Sequence, residues 1–346
     1  AARSAMADFF NAPSHDEIVF GQNMTTITLH LSRSIGRLFR PGDEIILSRM
    51  DHYANVWPWV LLARDLELDV KWLEFDPTTF EFDLARLDEL ITDRTRLVCV
   101  GGASNLTGTL NDVTTICQKA RAAGALTYID GVQSVPHDAT DVQAIGCDFL
   151  VCSPYKFFGP HQGVLWGRRE VLEQLEPYKV RPAYSSIPWC FETGTQSHEG
   201  LAGITAAIDY LAWIGESTDG ELSRPRALRA AMAKMFEYEK TLASRLISGL
   251  QEIDGVVVQG ITSPEAMDRR VPTVSFTHST VAPDTLAESL AKENIFVWSG
   301  HNYAVEVART LGVLETGGVL RVGPVHYNSA AEIDEFLEAL GRIVTA

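Results

Sequence analysis

From residue 18 to about residue 169, short apolar runs alternate with amphipathic stretches, and no other property of the chain limits its fold as much. The runs at 45–48, 68–73, 96–100, 125–129 and 149–152 have the length and apolar content of strands. Between them, Ile27, Leu31, Ile35 and Leu38 recur at helical spacing, and 84–91 and 113–123 read as further helices. Strands buried on both faces and separated by helices make a mostly parallel sheet in an α/β architecture. Functional groups in such sheets gather outside the carboxyl ends of the strands.

Those strand ends carry chemistry. A strand at 17–20 runs into Gly21-Gln22-Asn23-Met24-Thr25-Thr26, which leaves amides and hydroxyls at a helix N-terminus. Such a turn suits a phosphate, or it simply caps the helix. His52 follows the strand at 45–48, as a cap or a surface residue, and Asn105 follows the strand at 96–100 in a turn. Asp130 closes 125–129, and Lys156 lies in Ser153-Pro154-Tyr155-Lys156-Phe157-Phe158-Gly159-Pro160, just past 149–152. A lysine in a cramped, aromatic-walled turn loses hydration, which depresses its pKa and frees the amine as a nucleophile. Alone it reads more readily as a surface lysine in a loop between two strands. Paired with Asp130 it suggests pyridoxal phosphate, with the amine forming a Schiff base and the carboxylate keeping the ring nitrogen protonated.

The runs Tyr128-Ile129-Asp130-Gly131-Val132-Gln133-Ser134-Val135-Pro136-His137, Gly146-Cys147-Asp148-Phe149 and 153–163 resemble the class V aminotransferases, pyridoxal-phosphate enzymes of fold type I. The likeness is nearest to the cysteine desulfurases of the selenocysteine-lyase-like group and extends over nearly the whole chain. It implies a seven-stranded sheet with helices on both faces and a small α+β domain. It also implies a cofactor phosphate held by Met24, Thr25, Ser153 and Tyr155, and a ring stacked by His52 and contacted by Asn105 and Gln133. Lys156, His52 and Asp130 are then catalytic, and Arg321 clamps the substrate carboxylate. Thr195, in Phe191-Glu192-Thr193-Gly194-Thr195, reaches the phosphate of the neighbouring subunit, so the resemblance implies a homodimer whose sites are completed across it.

The sequence also departs from that pattern. The desulfurases place their nucleophilic cysteine where Tyr303 stands, an arginine where Trp298 stands and a histidine where Tyr155 stands. A phenol cannot take sulfur from cysteine to make a persulfide. The resemblance therefore carries the cofactor but not the sulfur transfer. Transamination of an amino acid or related primary amine is the leading expectation. A β-lyase or epimerase without a persulfide nucleophile is the alternative, and a non-catalytic cofactor-binding protein is the reading from another class. Relatives usually start with roughly 50–60 further residues near the substrate mouth, so a missing or trimmed N-terminal segment is also expected.

Composition narrows the partners. A net charge of −16 over 346 residues argues against nucleic acid, although a local pocket can still take an anion. The five cysteines, 99, 117, 147, 152 and 190, lack metal-ligand spacing and fit a reducing cytoplasm, so no metal is expected. No apolar run reaches the roughly 18 residues of a membrane span, and the first ten residues lack a signal-peptide core. The long helix near 225–253, the strands at 256–258, 273–276 and 295–298, and the helices at 286–293 and 333–343 read as a smaller unit. The expected domains are 1–216 and 217–346.

Overall fold

The computed structural model describes residues 1–219 and 222–345. Helix α1 (Ala2–Phe10) leads to strand β1 (Ile18–Gly21) and helix α2 (Met24–Gly36). Next come β2 (Glu44–Ser48), α3 (Trp57–Leu66), β3 (Asp69–Leu73), α4 (Leu84–Leu90), β4 (Thr95–Gly101) and α5 (Val113–Ala122). They are followed by β5 (Leu126–Asp130), α6 (Val142–Ile145), β6 (Phe149–Cys152), β7 (Gly163–Gly167) and α7 (Arg169–Leu172). The sheet order is β1-β7-β6-β5-β4-β2-β3. Strands β6, β5, β4, β2 and β3 pair in parallel, and β7 runs antiparallel to both β1 and β6. This is the mostly parallel seven-stranded sheet of fold type I.

The continuous apolar runs arise because alternate residues of each central strand enter different cores. Ile46, Val98, Val100, Ile129 and Leu150 face one core, with α1 and α5. Ile45, Leu47, Leu97, Cys99, Tyr128 and Phe149 face the other, with α2 and α3.

After a long loop come α8 (His198–Asp219) and α9 (Arg224–Gln251). The smaller unit holds β8 (Val256–Gln259), β9 (Val274–His278), α10 (Pro283–Lys292), β10 (Trp298–Gly300), α11 (Val305–Thr310), β11 (Val319–Val322) and α12 (Ala330–Thr345). Its antiparallel sheet has the order β10-β11-β9-β8. The expected division at 216/217 falls in the last turn of α8, and α9 runs through two cores. Ala227, Leu228, Met232 and Met235 pack with the large sheet's helices, whereas Leu242, Leu246 and Leu250 pack with the small sheet.

One local expectation changes. The strand expected at 295–298 starts only at Trp298, because the Ile295 amide bonds back to the Leu290 carbonyl at 3.0 Å and closes α10. Helix α8 begins at His198, where the Ser197 hydroxyl accepts the Gly200 amide at 3.1 Å. After β2 the chain first makes a 3-10 turn, Tyr53–Asn55, and α3 follows it. Among the described residues no helix is long and apolar enough to cross a membrane, and no cluster of His, Cys, Asp and Glu could hold a metal ion.

Candidate active site

The first turn of α2, the ends of four further strands and the small sheet converge on a cavity of about 320 Å³. Met24 and Thr25 line it from the first turn of α2, His52 from the turn after β2, and Asn105 from the turn after β4. Asp130 and Gln133 line it after β5, Ser153, Tyr155 and Lys156 after β6, and Arg321 from β11. Of the residues singled out in the sequence, Thr195 alone lies elsewhere: it is exposed in the loop before α8 and does not line the cavity.

The first turn of α2 is tied to the lysine turn. The Met24 amide donates to the Ser153 hydroxyl at 3.1 Å, and Asn23 Oδ1 accepts the Thr26 amide at 2.9 Å. A helix N-terminus with part of its amide set facing a cavity attracts an anion. Across the cavity, the Tyr155 ring stacks on His161 at 4.9 Å, and Lys156 Nζ sits 5.5 Å from the Tyr155 centroid. Lys156 reaches the open cavity, yet its amine is lowered below the ordinary lysine value. Loss of hydration is the main cause, the charge of Arg321 adds to it, and Asp130 opposes it.

Asp130 is buried, and its Oδ1 accepts the Val132 amide at 2.9 Å. Burial raises its carboxyl to about 6 against that hydrogen bond and the pull of Lys156. Beside it lies Asp51, a residue that sequence reading passed over. Its Oδ1 accepts the Gly101 amide at 2.8 Å and its Oδ2 the Asn55 side-chain amide at 2.7 Å. Burial, with the Asp130 charge adding, pushes Asp51 up to about 7. Its place directly before His52 was the available signal.

His52 accepts the Ala54 amide at Nδ1, at 3.0 Å, and so caps its own turn. Burial, then the charges of Lys156 and Arg321, hold its imidazole down at about 4, so the ring is neutral at pH 7. The small unit supplies the mouth. Tyr303 stacks on His52, Trp298 and Asn302 line the wall, and Arg321 Nη1 donates to the Asn105 carbonyl at 2.9 Å. Asn105 Nδ2 in turn donates to the Asn302 carbonyl at 2.7 Å, which leaves its buried Oδ1 without a partner. All five cysteines are buried, including Cys190, whose thiol burial raises.

A family model described as aminotransferase class-V matches residues 1–336. The chain belongs to that family. The curated cysteine desulfurase of Yersinia pestis (strain Pestoides F) is 30% identical over 357 residues, covering 99% of this chain and 82% of the relative. Among solved structures, the apo cysteine desulfurase of Thermococcus onnurineus NA1 matches with a TM-score of 0.88 at 28% identity, over 99% of this chain and 83% of that one. The cysteine desulfurase CsdA of Escherichia coli matches with a TM-score of 0.87 at 28% identity, over 100% and 83%.

Members of this family depend on pyridoxal phosphate and act on amino acids. The donor set here fits that cofactor. An amine of lowered pKa, a buried carboxylate, a flat neutral imidazole, a helix N-terminus and an orphaned buried amide oxygen on Asn105 border one cavity.

Proposed function

We propose that the protein is a pyridoxal-phosphate aminotransferase acting on an α-amino acid or related primary amine, as a homodimer in the cytoplasm. The observation that carries the reading is that Lys156 and Arg321 line one cavity with Asp130, while the mouth presents the Tyr303 phenol.

In this reading, Met24, Thr25 and Ser153 hold the phosphate, with Tyr155 beside them. Lys156 anchors the cofactor covalently, Asn105 and Gln133 border its ring, and His52 stacks on it. When bound, the cofactor is an electron sink for the pair left when a bond at the substrate α-carbon breaks. Asp130, ionised against a positive ring nitrogen, keeps that sink charged. Arg321 grips the substrate carboxylate through its planar fork and turns the α-hydrogen toward Lys156. The lowered pKa of Lys156 leaves more of its Nζ free to accept that proton and to return it. With the amino group kept by the cofactor and one water consumed, the product would be a keto acid. Thr195, exposed and outside the lining of its own cavity, is free to complete the partner's site.

Buried cysteines and a tyrosine at the mouth favour transamination over sulfur transfer. Purified protein is expected to absorb as a cofactor-bound lysine, and Lys156→Ala to lose that band; an unchanged band would sink the anchor assignment. Screening amino acids for keto acid, sulfide release and loss of chirality then separates transaminase, β-lyase and epimerase. Because β-elimination also ends in a keto acid but releases the nitrogen as ammonia, keto acid or sulfide formed with equimolar ammonia, or racemised product without keto acid, would overturn the aminotransferase reading, and a cofactor band with no response to any amino acid would favour a binding protein.

A further inference from the structure

Beside the Lys156–Arg321 cavity lies a second lobe of about 310 Å³ that shares both residues, together with Val132, Gln133 and Trp298. One wall is the segment after β5, from Val132 to His137, and the other is the segment after β11, from Gly323 to Val325. The walls belong to different sheets, so contacts between the sheets set the distance between them.

Gln133 Nε2 donates to Thr273 Oγ1 at 2.8 Å on the small-sheet side, and one buried side chain joins the two walls themselves. Glu239, on α9, is only 1% exposed. Its Oε2 lies 2.8 Å from His137 Nδ1, and its Oε1 accepts the His326 backbone amide at 3.0 Å. His137 is seven residues past Asp130, and His326 is five past Arg321. The His326 ring extends the link, with Nε2 at 2.6 Å from the Tyr210 hydroxyl and its plane edge-on to Phe158 at 4.8 Å, two residues past Lys156. A buried carboxylate costs stability unless both oxygens are satisfied, so its partners are held to narrow positions. Its helix is anchored in both cores, on either side of Glu239.

We propose that Glu239 is a positioning residue that sets the width of this lobe and thereby which amino-acid side chains the site admits. The proposal rests on the reading of Lys156 and Arg321 as the substrate site. Walls such as Val132, Pro136, Val297 and Pro324 discriminate by size and apolar contact, so a change of width alters selectivity before chemistry.

The test measures binding of propionate and 3-phenylpropionate to the cofactor-loaded protein by calorimetry, with kcat and KM for small and bulky amino acids alongside. Glu239→Gln can still accept the His326 amide and donate to His137 in its other tautomer, so the ratio of the two dissociation constants stays within about twofold of wild type. Glu239→Ala loses both arms and shifts that ratio by about fivefold or more. His137→Phe loses one arm, shifts it in the same direction, and decides the matter if Glu239→Ala does not fold. Equal weakening of both ligands in these variants, or lower thermal stability at constant ratio, means a merely structural role and overturns the proposal. Arg321→Ala is the control: loss of both ligands upholds the substrate site independently of Glu239, and unchanged binding refutes that site and this proposal with it.

Discussion

The His52 imidazole and the Tyr303 phenol stack with centroids 5.3 Å apart and planes inclined by 26°, and the Tyr53 amide donates to the Tyr303 carbonyl at 2.8 Å. The turn after β2 and the loop after β10 are thus joined by both ring and backbone. Asn302 and Tyr303 hold φ values of 51° and 59°, a left-handed pair that the surrounding contacts must stabilise. Tyr303→Ala is expected to cost about 1 kcal/mol through the lost ring pair and to raise KM. Tyr303→Phe keeps the stack and should match wild type. Thermal unfolding and steady-state kinetics check both.

With no exposed thiol on the chain and a phenol at the mouth, incubation with L-cysteine is expected to leave no persulfide on the protein. Intact-mass spectrometry reads this directly. A persulfide on Cys190 would show that its loop opens and would return the sulfur-transfer reading.

Replacing Arg321 by lysine keeps the charge but loses the planar fork and the Nη1 bond to the Asn105 carbonyl. The expected loss in kcat/KM for α-amino acids is about 10- to 100-fold, the range for one charged hydrogen bond. Amines lacking a carboxylate should be affected far less. Equal losses on both substrate types would contradict the carboxylate assignment.

Ser153→Ala removes the acceptor of the Met24 amide and frees α2 from the lysine turn. Stability is expected to fall by about 1 kcal/mol, with weaker cofactor retention during dialysis as a separate readout.

The buried Asp51 and the partly buried His52 give opposite pH slopes in the cofactor-free protein. Asp51 is raised from 3.8 to about 7, so the unfolded chain ionises first and stability is lost as pH climbs through that window. His52 is lowered from 6.5 to about 4, so the unfolded chain binds a proton first and stability is lost as pH falls from 6.5 toward 4. Relative to wild type, Asp51→Asn should gain as pH rises from about 4 to 7, and His52→Asn as pH falls from 6.5 to 4. Unfolding curves collected across that range decide the signs.

The strand–helix alternation, the parallel sheet and the strand-end positions of Met24, His52, Asn105, Asp130 and Lys156 were legible in the chain alone. Each follows from near neighbours: an apolar run ends, the backbone turns, and a polar residue stands at the opening. Arg321 and Tyr303 needed a family likeness, since nothing local links them to a strand far upstream. Tertiary structure alone decided the rest. It set Asp51 against Gly101 across 50 residues, Asn105 against the Asn302 carbonyl across 197, and Glu239 between His137 and His326. It also kept Thr195 out of its own cavity. Periodicity records which face of an element is apolar, but burial and hydrogen-bond partners arise only when elements pack. A carboxylate's pKa and a cleft's width are therefore properties of the packed chain.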